Sequence, residues 1–167
     1  MKQGGEILIL GLGNEVLGDE SLGLKIVDNL MHSNTFPELE YAKATNGGLE
    51  ILDYIRDFKT LIIIDTIATE SVKPGKIHYF KPENYTETLH LSSNHDVNFL
   101  TAIKTGQTLG FQIPDSIDII AIEIIRDLCL CENLSDIILE KYDEILFEII
   151  NFIKKHQILL YQPVHKT

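Results

Sequence analysis

The chain of 167 residues, 44% of them hydrophobic, is long enough for one globular domain with a sizeable apolar core. Its formal net charge of −11 argues against nucleic acid and anionic membranes as partners, because both would repel it. We find no signal peptide and no apolar run near the ~20 residues that a membrane span needs. We therefore expect a single domain, residues 1–167, that is cytoplasmic and monomeric.

Strand-like runs alternate with segments of helical periodicity along the chain. The run at 60–67 is nearly all apolar and β-branched, which predicts a central strand covered on both faces. The predicted strands are 6–11, 39–45, 60–67, 78–80 and 116–124, and the predicted helices are 20–31, 48–58, 96–110 and 135–155. This order predicts an α/β fold, a three-layer α/β/α sandwich with a mostly parallel central sheet of about five strands. Ligands of such folds bind beyond the carboxyl ends of the strands.

A glycine-rich turn, GLGNEVLGDESLG at residues 11–23, follows the first predicted strand. Such turns usually hold phosphate, but the dinucleotide pattern G-x-G-x-x-G needs glycine where Val16 stands. The P-loop pattern fails too, because Asp19 and Glu20 replace its Lys and its Ser or Thr. Each acid would repel a phosphate by about 1 kcal/mol even in water, so the turn is predicted not to bind one. A plain interaction with the dipole of the next helix is the alternative for Glu20.

Two later residues are predicted to join Glu20 at the same edge of the sheet. Asp65 ends a hydrophobic run, where a carboxylate is costly unless it is hydrogen-bonded, paired or bound to a cation. His95 stands just before the third predicted helix, and His90 in the same loop is its strongest rival. Glu20, Asp65 and His95 would together suit a borderline divalent cation such as nickel or zinc. For Asp65, hydrogen bonds to amides of the next loop are the alternative.

At these residues the chain resembles the hydrogenase maturation endopeptidases, which process the C-terminus of the nickel-iron hydrogenase large-subunit precursor. The family pattern G-x-G-N-x-[LI]-x-x-D-[DE]-x-x-G is similar to residues 11–23, with Val16 and Ser21 as departures that leave both acids in place. The likeness covers roughly residues 6–125. Its later landmarks are TNGGLEIL at 45–52, LIIIDTI at 61–67 and NHD at 94–96, whereas IIRDLCLCEN at 124–133 replaces a loop that usually bears proline.

The resemblance implies a hydrolase that removes the C-terminal extension of the precursor after nickel insertion. It implies that Glu20, Asp65 and His95 meet nickel carried by the precursor, and that zinc or cadmium can occupy the same position. One of the two carboxylates would bind the metal while the other activates a water as general base. A nucleotide-binding α/β protein and a non-catalytic metal-binding protein of the same fold stay open as alternatives. Cys129 and Cys131 form a lone C-x-C and are assigned no role.

Overall fold

A computed structural model describes residues 6–70, 73–84, 88–91, 97–126 and 130–161, with side chains as far as residue 156. Within these residues, five strands form one sheet in the order β2-β1-β3-β5-β4. β4 runs antiparallel to β5, and the other neighbours are parallel, which confirms the predicted mostly parallel sheet. The strands are β1 (Ile7–Leu12), β2 (Glu40–Ala44), β3 (Thr60–Ile67), β4 (Ile77–Phe80) and β5 (Ser116–Glu123).

Helices cover both faces of this sheet, which confirms the three-layer sandwich. Their bounds are α1 (Leu22–His32), α2 (Leu52–Ile55), α3 (Phe99–Thr108) and α4 (Asp136–Tyr161). The apolar stripes of α1 and α4 share one core with Ile62 and Ile64 of β3. α2 and α3 pack on the other face with Leu61 and Ile63, so every residue of β3 is buried, as the continuous apolar run predicted. No helix in the described part of the chain is long and apolar enough to cross a membrane.

The predicted helix at 48–58 is wrong in length. A 3-10 turn spans Gly48–Ile51, and α2 adds one turn that ends at Ile55. Asp57 then adopts a left-handed conformation (φ 73°), and its backbone NH bonds to the carbonyl of Gln112 instead of continuing a helix. Asp tolerates this conformation better than most residues, so no glycine is needed to end the helix. The apolar periodicity of the sequence therefore continues past the point where the helix ends.

Two other helix starts differ from the prediction, and one of them matters for the site. The first helix begins at Leu22, because Gly18–Ser21 form a separate 3-10 turn that contains Glu20. α3 is capped by Asn98, whose side-chain oxygen accepts a hydrogen bond from the Thr101 NH at 2.9 Å. Asp96, expected near the start of that helix, lies outside the described residues.

Candidate active site

Glu20 is brought to the carboxyl edge of the sheet by two glycines. Gly18 takes a left-handed conformation (φ 47°) that starts the 3-10 turn carrying Glu20. Gly23 lies against the strands so closely that a Cβ there would stand 2.3 Å from the Leu12 carbonyl oxygen and 2.5 Å from that of Ile64. The turn is thereby held over β1 and β3, and only 3% of Glu20 is exposed.

Asp65 lies in β3, two residues before its end, and is fully buried. Its Oδ1 accepts a hydrogen bond from the Thr66 NH at 2.7 Å, and its Oδ2 accepts one from the Thr88 hydroxyl at 2.6 Å. The backbone NH of His90 also donates to Oδ2, at 3.0 Å. The backbone amides that Asp65 bonds thus belong to its own strand and to the loop after β4, which the carboxylate fastens to β3.

The ring of His90 lies between the two carboxylates. Its Nδ1 is 2.8 Å from Asp65 Oδ1, and its Nε2 is 3.2 Å from Glu20 Oε2. Burial would lower the pKa of His90, but the hydrogen bond and charge of Asp65, with a further contribution from Glu20, raise it above its ordinary value. Both ring nitrogens face acceptors, so the geometry favours the imidazolium, in which both donate.

Arg126 supplies a second positive charge to this cluster. Its Nε donates to Glu20 Oε1 at 3.2 Å, and 55% of its side chain is exposed. Two cationic groups thus compensate two buried carboxylates. In this arrangement, no group of three or more His, Cys, Asp or Glu side chains among the described residues is set to hold a metal ion.

The predicted site residues meet different outcomes. Glu20 and Asp65 do come together, on opposite sides of the His90 ring. His95 lies within residues 92–96, outside the described part of the chain, so its role stays a prediction. His90 was weighed from the sequence only as a rival, and Arg126 was missed because no motif or spacing marks it.

Asp19, the other acid of the turn, has a structural role. Its two carboxylate oxygens accept hydrogen bonds from the backbone NH and the hydroxyl of Ser135, at 2.7 and 2.8 Å. Ser135 precedes α4, and its hydroxyl accepts a hydrogen bond from the Ile138 NH at 3.4 Å. Asp19 therefore joins the turn that carries Glu20 to the start of the last helix.

Replacing Asp19 should destabilise the protein. We expect Asp19→Ala to lower the free energy of unfolding by about 1–2 kcal/mol, because two hydrogen bonds to a charged acceptor are lost. Urea unfolding measures the change. Asp53→Ala is the matched control, because that carboxylate is 78% exposed and lies 3.9 Å from Arg56; we expect it to change stability by less than about 0.5 kcal/mol. Equal stability of the two variants would contradict the role of Asp19.

A third carboxylate at this edge was not predicted from the sequence. Glu123 ends β5 and is fully buried, and its oxygens accept hydrogen bonds from the Thr69 hydroxyl at 2.5 Å and from His78 Nε2 at 3.0 Å. Burial would raise the pKa of Glu123, but these hydrogen bonds outweigh it and lower the pKa to about 2. Glu123 thereby fastens the connection between β3 and β4.

The protein should lose stability as the pH falls, because Glu123 becomes protonated. A carboxylate whose pKa drops from 4.5 to about 2 on folding stabilises the protein above pH 4.5 and loses that contribution as the pH falls toward 2. We expect Glu123 to contribute about 1–2 kcal/mol to the free energy of unfolding. The contribution is modest because His78 is partly exposed and solvent screens its attraction to Glu123. Unfolding of the wild type and of Glu123→Gln is compared at pH 7, 4 and 2.5. Their difference should shrink at the lowest pH, and a difference independent of pH would contradict this assignment.

Comparison with known proteins identifies the family of this chain. A family model described as hydrogenase maturation protease matches residues 24–160, a stretch that contains Asp65 and His90. The hydrogenase 2 maturation protease of Escherichia coli (strain K12) is 33% identical over 123 residues, which are 67% of this chain and 75% of the relative. The hydrogenase expression/formation protein HupD of Rhodobacter capsulatus is 23% identical over 108 residues, 63% of this chain and 51% of the relative.

Solved structures show the same fold. The hydrogenase maturating endopeptidase HybD from E. coli superposes with a TM-score of 0.67 at 20% identity, covering 90% of this chain and 93% of that one. HybD from Thermococcus kodakarensis gives a TM-score of 0.62 at 22% identity, with 90% and 97% covered. The protein is thus an α/β sandwich with buried acidic side chains at the carboxyl edge of its sheet. The chain belongs to the hydrogenase maturation protease family, whose members hydrolyse peptide bonds.

Proposed function

We propose that this protein is the endopeptidase that removes the C-terminal extension of a nickel-iron hydrogenase large-subunit precursor after nickel has been inserted. Family membership supports the reaction class, and one structural relative is a [NiFe] hydrogenase maturation protease. The observation that carries the proposal is the buried cluster of Glu20, His90 and Asp65 beside an open cleft. We further propose that it works in the cytoplasm as a monomer.

The two buried carboxylates of the cluster attract positive charge, which His90 and Arg126 supply in the free protein. Two carboxylates lie on either side of one imidazole ring, in a position where burial strengthens their attraction for a cation. We assign Glu20, Asp65 and His95 to contact with the precursor's nickel, a donor set that zinc or cadmium also fits. The nickel belongs to the substrate, where it serves as a recognition feature and as a Lewis acid near the scissile bond.

The two carboxylates have different surroundings, and this bears on their roles. Asp65 accepts four hydrogen bonds from described residues, so its oxygens are fully engaged. Glu20 contacts the side chains of His90 and Arg126 and lines an open cleft. Glu20 is therefore the better candidate for the general base that takes a proton from the attacking water, and Asp65 would have to release one of its hydrogen bonds to meet the metal.

The direct test uses purified protein and precursor. Incubation with nickel-loaded large-subunit precursor should yield one shorter product, with the loss at its C-terminus identified by mass spectrometry. Nickel-free precursor is the control and should stay uncut. No conversion of the loaded precursor by folded protein would overturn the proposed function. Equal conversion of both precursors would leave a protease but remove nickel from recognition.

A further inference from the structure

A cleft of about 220 Å³ lies directly beside Glu20. Glu20 forms part of its wall, and apolar side chains form much of the rest. Ile124 and Leu134 are buried, while Ile125 is half exposed and Cys131 is an exposed free thiol. The cleft is therefore a mainly apolar recess, with Asp19, Asn133 and Ser135 also on its wall, that opens next to a carboxylate of the proposed active site.

Hydrogen bonds between distant parts of the chain build this recess. The Gly18 NH donates to the Cys131 carbonyl at 2.5 Å, and the Cys131 NH donates to the Val16 carbonyl at 3.0 Å. Asp19 adds its two bonds to Ser135 on the same side. The segment after residue 130 is thus fixed against the turn that carries Glu20, and the recess is preformed.

Exposed apolar side chains border the recess. Ile125 is 49% exposed and lines the cleft. Val16 is 47% exposed and Leu130 82%, and each is next in the chain to a residue that lines the cleft. Solvent-exposed apolar side chains gathered around a pocket typically mark a surface that a partner covers. Here the partner must also reach Glu20, because the recess and that carboxylate share a wall.

We propose that this recess binds one apolar side chain of the precursor, next to the scissile peptide bond. The inference rests on the proposed function and adds a specificity pocket to it. An apolar cavity of about 150 Å³ is enough to hold benzene, so this recess has room for one aliphatic or aromatic side chain. An anionic side chain is disfavoured there, because Asp19 and Glu20 also line the recess and would repel it. The pocket thereby sets which peptide bond comes to lie at Glu20.

The test fills the recess without touching the carboxylates. Cys131→Trp places a large ring at the wall, whereas Leu109→Trp adds the same ring at a residue that is 64% exposed just beyond α3. For nickel-loaded precursor, Cys131→Trp should raise KM about tenfold or more and change kcat less than about twofold, since substrate capture is what the pocket provides. Leu109→Trp should match the wild type. Thermal unfolding verifies that both variants are folded.

A second measurement uses the wild-type thiol. N-ethylmaleimide modification of Cys131, located by mass spectrometry, should slow severalfold when nickel-loaded precursor is bound, and this measurement decides the matter if Cys131→Trp does not fold. Unchanged KM in the folded Trp variant, or unchanged alkylation with precursor bound, would overturn the pocket and leave the proposed function standing. A wild-type protein that converts no precursor would overturn both.

Discussion

Glu20→Gln is expected to reduce conversion of nickel-loaded precursor by about 100-fold or more, and Asp65→Asn by a similar factor. Each substitution keeps the shape of the side chain and removes the charge that either meets the cation or activates the water. Glu20→Gln should cost only about 1 kcal/mol of stability. Asp65→Asn should cost more, about 2–3 kcal/mol, because its amide nitrogen cannot accept the hydrogen bonds that Asp65 Oδ2 or Oδ1 now accepts.

Gel conversion of the precursor measures the activity, and urea unfolding measures the stability of the same preparations. Glu20→Gln is the cleaner of the two variants because the wild-type carboxylate has fewer described partners. Glu83→Gln is a matched control, since that carboxylate is exposed and lies in the separate 3-10 turn Pro82–Asn84. Full conversion by folded Glu20→Gln and Asp65→Asn would remove both residues from the mechanism.

The two histidines of the loop after β4 should respond differently to substitution. His90→Ala should lower stability by about 3 kcal/mol, because it leaves two buried carboxylates without the group between them. His95→Ala should leave stability nearly unchanged and weaken capture of nickel-loaded precursor by about tenfold or more, if His95 supplies the imidazole ligand. Unfolding curves and precursor binding, measured on both variants, separate a structural histidine from a ligand.

His165→Ala is the control for this pair, because His165 stands in the C-terminal tail and is expected to affect neither property. The reverse pattern, with normal capture by His95→Ala and lost capture by a stable His90→Ala, would transfer the ligand role to His90. In that case the contacts of His90 with Glu20 and Asp65 would belong to the free protein and would rearrange when the precursor binds.

The sheet was predictable from sequence because its strands carry local signals. The β-branched run at 60–67 coincides with β3, and the glycine-rich turn marks where β1 ends. The same local reasoning predicted too great a length for the second helix, because the left-handed conformation of Asp57 leaves no trace in the apolar pattern of the sequence. Elements defined by their own composition were therefore found, and ends set by a single backbone conformation were not.

The candidate site was predictable only in part, for a related reason. Glu20 and Asp65 could be named because Glu20 follows β1 and Asp65 lies near the end of β3, and the carboxyl ends of these strands must reach the same edge of the sheet. The partners of Glu20 lie 70 and 106 residues further along the chain, at His90 and Arg126. Pairings at that separation leave no periodicity or spacing in a single sequence, so only the folded structure reveals them.

The link between Asp19 and Ser135 has a consequence for the timing of folding during synthesis. These residues are 116 positions apart, yet they hold one wall of the recess beside Glu20. The segment that completes this wall is synthesised after all the strands of the sheet. A nascent chain therefore lacks the finished wall of the recess until Ser135 and the start of α4 have emerged and docked.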